Sequence, residues 1–117
     1  MRRITSAELA VSGDEQRLTS SAARQTVALA RQRTAERLSG TPWTTNGQVP
    51  GPWLRSRERM LSRAVTAPLD RALERGAITM RGYDRVLRVA WTLSDLDGTG
   101  RPDARQIGRA LFLRKGI

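Results

Sequence analysis

Apolar residues recur along this chain with helical spacing, and no segment shows the strict alternation of a β-strand. A first helix is predicted from Thr19 or Ser20, where hydroxyl caps precede the apolar period, to a left-handed stop at Gly40. Its apolar positions are Ala23, Val27, Ala30 and Leu38. Residues 1–18 lack such a period, and we expect them to form a flexible, disordered N-terminal arm.

Prolines and glycines divide the rest of the chain into shorter elements. Residues 40–52 contain three prolines and three glycines and cannot form a regular element, although Trp43 and Val49 offer apolar side chains to bury. Helices are predicted beyond this loop at 53–60, at 66–75, from the Thr79 cap to the Gly98 stop, and from Pro102 to about residue 114. The predicted fold class is therefore all-α, a small bundle of four to five helices over residues 19–117.

The helix from Thr79 to Gly98 carries two adjoining apolar stripes, which is typical of the central helix of a bundle. The stripes consist of Met80, Tyr83, Leu87 and Ala90, and of Val86, Val89, Leu93 and Leu96. Arg81, Arg85 and Arg88 follow at i, i+4 and i+7, so we expect one ridge facing away from the core. The simplest interpretation is a solvated face on which Asp84 pairs with Arg88.

Composition narrows the possible chemistry. The chain has no cysteine and no histidine, which excludes disulfides, thiolate or imidazole metal sites, and catalysis by Ser-His or Cys-His pairs. The net charge is +10, and every basic residue except Lys115 is arginine. That balance favours a phosphate-bearing partner, although a GC-rich genome would produce the same bias.

The positive charges predict nucleic acid as one class of partner. A weak nucleic-acid surface is predicted at Arg24, Arg31, Arg33 and Arg37, with Arg85 and Arg88 as further candidates. A membrane partner is not expected, because no apolar run approaches the length of a span, and the parent protein is expected in the cytoplasm.

Residues 95–106 resemble a calcium-binding loop of the EF-hand type. Asp95, Asp97, Thr99 and Asp103 stand at ligand positions one, three, five and nine, and Gly100 at position six. Gln106 replaces the bidentate Glu at position twelve, and Pro102 removes a backbone donor at position eight. No second loop is present as a partner. We therefore expect no metal site, and a degenerate calcium-binding hand stays as an alternative.

A longer stretch resembles a specific family. The run Met80-Arg81-Gly82-Tyr83-Asp84-Arg85-Val86-Leu87-Arg88-Val89-Ala90, the residues Leu69 to Gly76 and the loop from Thr45 to Leu54 are similar to the C-terminal lid of magnesium-chelatase-like AAA+ ATPases of the competence type. The similarity covers about residues 20–114. Two positions depart from the pattern: Trp91 replaces an arginine, which removes a charge from the ridge, and Gly82 weakens the first helical turn.

This resemblance implies a lid domain over a nucleotide cleft, with Arg81 at the sensor-2 position that contacts the phosphates. It implies ATP and Mg as ligands of the full-length protein, a core domain of the same polypeptide as partner, a ring homo-oligomer, and action on DNA in uptake or recombination. The chain has no Gly-rich phosphate-binding loop, so no hydrolysis, and no cofactor, is expected of this chain alone. A stand-alone basic helical module that binds nucleic acid is the alternative.

Overall fold

The computed structural model describes residues 6–56, 59 and 61–115 of the chain. Within these residues the protein is all-helical, with five α-helices, one short 3₁₀ helix and no strand. The elements are α1 (Ser6–Arg37), the 3₁₀ helix (Asn46–Gln48), α2 (Gly51–Leu54), α3 (Arg63–Glu74), α4 (Met80–Asp97) and α5 (Ala104–Lys115). The predicted class and helix number are confirmed. None of the helices in the described segments is long and apolar enough to cross a membrane.

Helix α4 is the central element, as its two apolar stripes predict. It contacts α1, α2, α3, α5 and the 3₁₀ helix. Its buried apolar residues are Val86, Leu87, Ala90, Trp91 and Leu93. The two stripes are not buried throughout, because Met80 and Val89 are 43% and 37% exposed. The core therefore covers most of α4, and one residue of each stripe remains open to solvent.

The predicted ends of α4 are both confirmed. The Thr79 hydroxyl accepts a hydrogen bond from the Gly82 amide at 3.1 Å, which satisfies one of the unpaired donors of the first turn. At the other end Gly98 adopts a left-handed conformation with φ of 72°, and its amide donates to the Ser94 carbonyl. A residue with a Cβ is strained in that conformation, so the glycine ends the helix at low cost.

The predicted start of the first helix is wrong. Helical backbone begins at Ser6 rather than at Thr19 or Ser20. Residues 6–18 are rich in Ala, Glu, Gln and Leu, which favour helix, and the isolated Gly13 costs only about 1 kcal/mol. The flexibility predicted for residues 1–18 stays a prediction, and residues 1–5 lie outside the described residues. Gly40, at φ of 84°, follows this helix as expected.

The starts of two other helices differ from the prediction because local caps were not recognised. Helix α3 begins at Arg63, three residues before the predicted start, since the Ser62 hydroxyl accepts a bond from the Val65 amide. Pro68 consequently lies in the second turn. Helix α5 begins at Ala104 rather than Pro102, because Asp103 and Gln106 bond reciprocally to each other's amides at 3.3 Å and 2.8 Å.

The loop before α2 is ordered by burial, as predicted from its apolar side chains. Val49 is fully buried, and Trp43 meets Trp53 edge-to-face with ring centroids 5.4 Å apart. Helix α2 itself spans only four residues, with Pro50 as its cap, whereas the prediction placed it at 53–60. Residues 57, 58 and 60 of that range lie outside the described residues. The loop packs its Val49 end against α4 and so joins the core.

Candidate functional site

The start of α4 is held by contacts on three sides. Besides the Thr79 cap, Ile78 is 5% exposed and anchors the preceding turn in the core. The Arg114 guanidinium of α5 donates to the Ala77 carbonyl at 3.0 Å. These contacts fix the backbone of the first turn, so a side chain that projects from it starts from a defined position.

Arg81 projects from this fixed turn into solvent. Its side chain is exposed, and it forms no hydrogen bond or ion pair with any residue that the structure describes. Arg85, one turn further on, is exposed in the same way. An unpaired guanidinium has five N–H donors in a fork that matches phosphate or carboxylate oxygens. The first two turns of α4 therefore present two available cations.

Arg88 does not belong to this exposed group, so the predicted three-residue ridge is wrong. It is half-buried, and its Nε donates to the Val49 carbonyl at 2.9 Å. The predicted pair with Asp84 is also wrong. Asp84 is buried and accepts from Arg55 at 2.9 Å and 3.4 Å. Arg88 thus holds the loop to α4, and Asp84 holds the residue that follows α2.

A buried polar cluster lies at the opposite end of α4. Asp95 is 5% exposed, and its Oδ2 accepts hydrogen bonds from three different side chains. The donors are Arg37 at 2.7 Å, Thr34 at 2.7 Å and Asn46 at 3.0 Å. This cluster joins α1, the 3₁₀ helix and α4 at one point. Charge-assisted bonds of this kind are about twice as strong as neutral ones.

Trp91 completes the cluster. It is 6% exposed, and the Arg37 guanidinium lies 4.4 Å from its ring centroid. The prediction that a tryptophan here removes a charge from an exposed ridge is therefore wrong, because position 91 faces the core. The aromatic face instead stabilises the half-buried Arg37 guanidinium by cation–π attraction.

The four arginines of α1 divide into two pairs. Arg33 and Arg37 are half-buried, and Arg33 donates to the Asp95 carbonyl at 2.7 Å near the C-terminal end of α4. Arg24 and Arg31 are exposed and pair with no described residue. Of the candidate nucleic-acid residues, Arg33, Arg37 and Arg88 thus have internal partners, and Arg24, Arg31 and Arg85 remain available.

The residues of the calcium-like loop have separate internal roles. Asp95 belongs to the buried cluster, and Asp97 accepts from Gln106 at 2.9 Å and Arg109 at 3.1 Å. Thr99 bonds with Ser94 and the Arg101 carbonyl, while Asp103 caps α5. In the part of the chain that the structure describes, no three acidic side chains come together as metal ligands. The sequence of the loop is therefore explained by the end of α4, the start of α5 and the hydrogen bonds between them.

A second polar link is not visible in the sequence pattern, because its residues are distant along the chain. The Tyr83 hydroxyl donates to Asp70 at 2.7 Å, and the Thr66 hydroxyl donates to the other oxygen of that carboxylate at 2.8 Å. Burial raises the pKa of Tyr83, and the hydrogen bond and negative charge of Asp70 raise it further. This link ties α3 to the first turn of α4, next to Arg81.

Comparison with known proteins identifies the class of domain. The sequence profile of the C-terminal domain of magnesium chelatase subunit ChlI matches residues 17–114. The chain belongs to this family and is a magnesium-chelatase-like C-terminal domain of the AAA+ type. The match agrees with the extent of the resemblance, residues 20–114, and with the all-helical fold.

Curated relatives come from mycobacteria. Uncharacterized proteins of Mycobacterium tuberculosis (strains H37Rv and CDC 1551) and of Mycobacterium bovis are each 46% identical to this chain over 92 residues. That region covers 79% of this chain but only 18% of each relative. The matched region therefore spans less than a fifth of the length of these relatives. No solved structure matches it.

Proposed function

We propose that this domain is the lid over the nucleotide cleft of a chelatase-like AAA+ ATPase, and that Arg81 contacts the nucleotide phosphates. The observation that carries the proposal is the state of Arg81. It is an exposed and unpaired arginine in the capped first turn of the central helix, in a domain of this family.

The chemistry of phosphoryl transfer requires such a group. Negative charge spreads over the transferred phosphoryl oxygens in the transition state, and positioned cations stabilise it. A guanidinium is suited to this because it stays protonated and donates two parallel hydrogen bonds. The caps and core contacts around Thr79 hold the backbone, so less conformational entropy is lost when Arg81 meets its ligand.

Arg85 is the competing candidate, since it is equally exposed one turn along α4. The experiment therefore compares Arg81→Ala and Arg85→Ala in a polypeptide that joins this domain to its ATPase core. Arg71→Ala, an exposed arginine on α3, is the matched control. We expect Arg81→Ala to lower kcat for ATP hydrolysis by about 100-fold, the scale for losing one donor to developing charge.

The two other variants are expected to stay near the unaltered rate. If Arg85→Ala carries the large loss and Arg81→Ala does not, the sensor assignment belongs to Arg85. Equal activity of all three variants contradicts the proposal altogether. Circular dichroism of each variant separates loss of function from loss of fold.

The properties of the whole protein are part of the same proposal. The full-length protein is an ATPase of the competence type that binds ATP and Mg, and its core domain lies in the same polypeptide. It forms a ring homo-oligomer, acts on branched DNA and is located in the cytoplasm. The support is the family of the domain and the exposed arginines. Ring formation is testable by light scattering of the full-length protein with and without ATP.

Direct binding of DNA by this domain is a second candidate function. Arg24 and Arg31, seven residues apart on an exposed stretch of α1, support it. Fluorescence anisotropy with a labelled duplex should show affinity that falls steeply with salt and that drops in the double variant Arg24→Ala/Arg31→Ala. Absence of binding near physiological salt contradicts this function, and Arg71→Ala again serves as the control.

A further inference from the structure

An open groove runs between α4 and α5, and Arg81 is not among the residues that line it. Its volume is about 380 Å³. The buried side chains of Val86 and Ala110 form the floor, and Val89 and Leu113 form the walls. Both wall residues are apolar yet 37% and 47% exposed. The groove is thus an apolar surface that the described part of the domain leaves uncovered.

The rim of the groove is basic. Arg85 lies on the α4 side and has no described partner, and Arg114 lies on the α5 side. Arg114 donates through one nitrogen to the Ala77 carbonyl and keeps further donors available. No carboxylate is among the lining residues. Any ligand that fills the apolar floor therefore meets two cations that nothing in the described domain neutralises.

Gly82 is one of the residues that line the groove, at a position where the fold does not require a glycine. A Cβ added to it would meet Ile78 and Thr79 at 3.5 Å and 3.6 Å, which are ordinary contacts. Its φ is not positive either, because the positive-φ glycines are Gly40, Gly76, Gly98 and Gly100. Glycine costs a helix about 1 kcal/mol relative to alanine. The absent side chain leaves space in the groove lining beside Arg114, whose Nε would lie 4.0 Å from an added Cβ, and a docked backbone can use that space.

From these observations we infer that the groove is a docking site for an acidic amphipathic helix of a partner protein. The apolar side of such a helix fits the Val89 and Leu113 walls, and its flanking carboxylates meet Arg85 and Arg114. A second copy of this chain is a poor occupant, because two surfaces of a protein with net charge +10 repel each other. DNA is disfavoured because its phosphates gain nothing from an apolar floor.

The test uses the ¹⁵N-labelled 117-residue chain and a synthetic peptide as probe. The peptide is an acetylated and amidated helix of about five turns, with Leu at i, i+3, i+4 and i+7, Glu only at positions that flank this stripe, and Gln elsewhere. Saturable amide shifts are expected at Gly82, Val89, Ala110 and Leu113. A matched peptide with every Leu replaced by Ala should bind at least about tenfold more weakly.

Two pairs of variants locate the contact. Arg85→Glu should weaken peptide binding by about tenfold or more, because it places like charges across the rim, whereas Arg71→Glu on α3 should change it less than about twofold. Gly82→Ala should weaken binding by roughly tenfold, because the added methyl group obstructs the close approach. Gly108→Ala, on an exposed and unobstructed part of α5, should leave the affinity unchanged.

The second pair also controls for folding, since both alanines should stabilise the free domain slightly. The inference is overturned if the Leu-containing peptide does not bind at millimolar concentration, or if the shifts lie outside the groove. It is equally overturned if Arg71→Glu weakens binding as much as Arg85→Glu, or if a DNA duplex shifts the same amides more strongly. None of these results depends on Arg81 or on ATP hydrolysis.

Discussion

The two ends of α4 use arginine in opposite ways. At the C-terminal end Arg37 is drawn from α1 into a buried cluster with Asp95, Asn46 and Trp91. At the N-terminal end Arg81 is exposed and has no partner among the described residues. The difference is the presence of an acceptor within reach. An arginine becomes part of the fold where an acceptor oxygen faces it, as Asp95 faces Arg37, and stays available for a ligand where none does.

The cluster around Asp95 has a cost as well as a benefit. Burying charges removes their hydration, and only well-formed hydrogen bonds offset this loss. The Asp95 Oδ2 atom receives three bonds, but the buried Nε of Arg37 has no partner in the described structure. We therefore expect the cluster to fix the orientation of α1 against α4 more than to raise total stability.

The largest expected effect comes from removing the acceptor. Asp95→Ala leaves the donors of Arg37, Thr34 and Asn46 without their shared partner, and it should lower the free energy of unfolding by about 3–5 kcal/mol. Urea unfolding followed by tryptophan fluorescence measures this. Glu36→Ala, an exposed acid on α1, is the control and should change stability by less than about 0.5 kcal/mol. Equal effects of both would contradict the structural role of the cluster.

A steric change near the other end of α4 should have the next largest effect. A Cβ at Gly51 would overlap the Asp84 carboxylate, which is buried and paired with Arg55. Gly51→Ala should therefore cost about 1–3 kcal/mol, because either the helix start or the ion pair must move. Gly47→Ala meets nothing within 4 Å and should be nearly neutral in the same urea experiment. A neutral Gly51→Ala would show that Asp84 can be relocated freely.

The contrast between the two arginines can be tested directly. Arg37→Ala should lower the free energy of unfolding by about 2 kcal/mol, because the buried Asp95 carboxylate loses its charged donor and Trp91 loses its contact with the cation. Arg81→Ala should leave the free energy of unfolding within about 0.5 kcal/mol. Equal destabilisation of the two variants in thermal and urea unfolding would contradict the different roles of Arg37 and Arg81.

The smallest effect concerns Tyr83, the only tyrosine in the chain. Because its folded pKa is raised above the usual value of about 10, the folded state favours the neutral phenol. This contribution to stability is complete below pH 10 and is lost as the pH rises above 10 toward the folded pKa. Ultraviolet absorbance should show the folded protein titrating at higher pH than the urea-unfolded protein.

Tyr83→Phe should cost about 1 kcal/mol near neutral pH, through loss of the bond to Asp70. The alkaline loss of stability that depends on this group should disappear in the variant. Identical titration of folded and unfolded protein would contradict the buried link between α3 and α4.

Much of the fold could be predicted because its signals are local. The Thr79 cap, the Gly98 stop and the apolar period between them lie within one segment, and they defined α4 correctly. The predicted start of α3 is wrong because Pro68 was assigned to the first turn, whereas the Ser62 cap places it in the second. The available state of Arg81 agrees with the lid interpretation, although its contact with phosphate stays a prediction.

The sequence by itself determined the helical class, the central position of α4 and the absence of cysteine and histidine chemistry. Those features depend on period, composition and neighbours along the chain. Only the tertiary structure decided which arginines are available, because that depends on acceptors such as Asp95 and the Val49 carbonyl, which are distant in sequence from Arg37 and Arg88. The sequence shows that a residue is arginine, but its role depends on whether the fold places an acceptor oxygen near it.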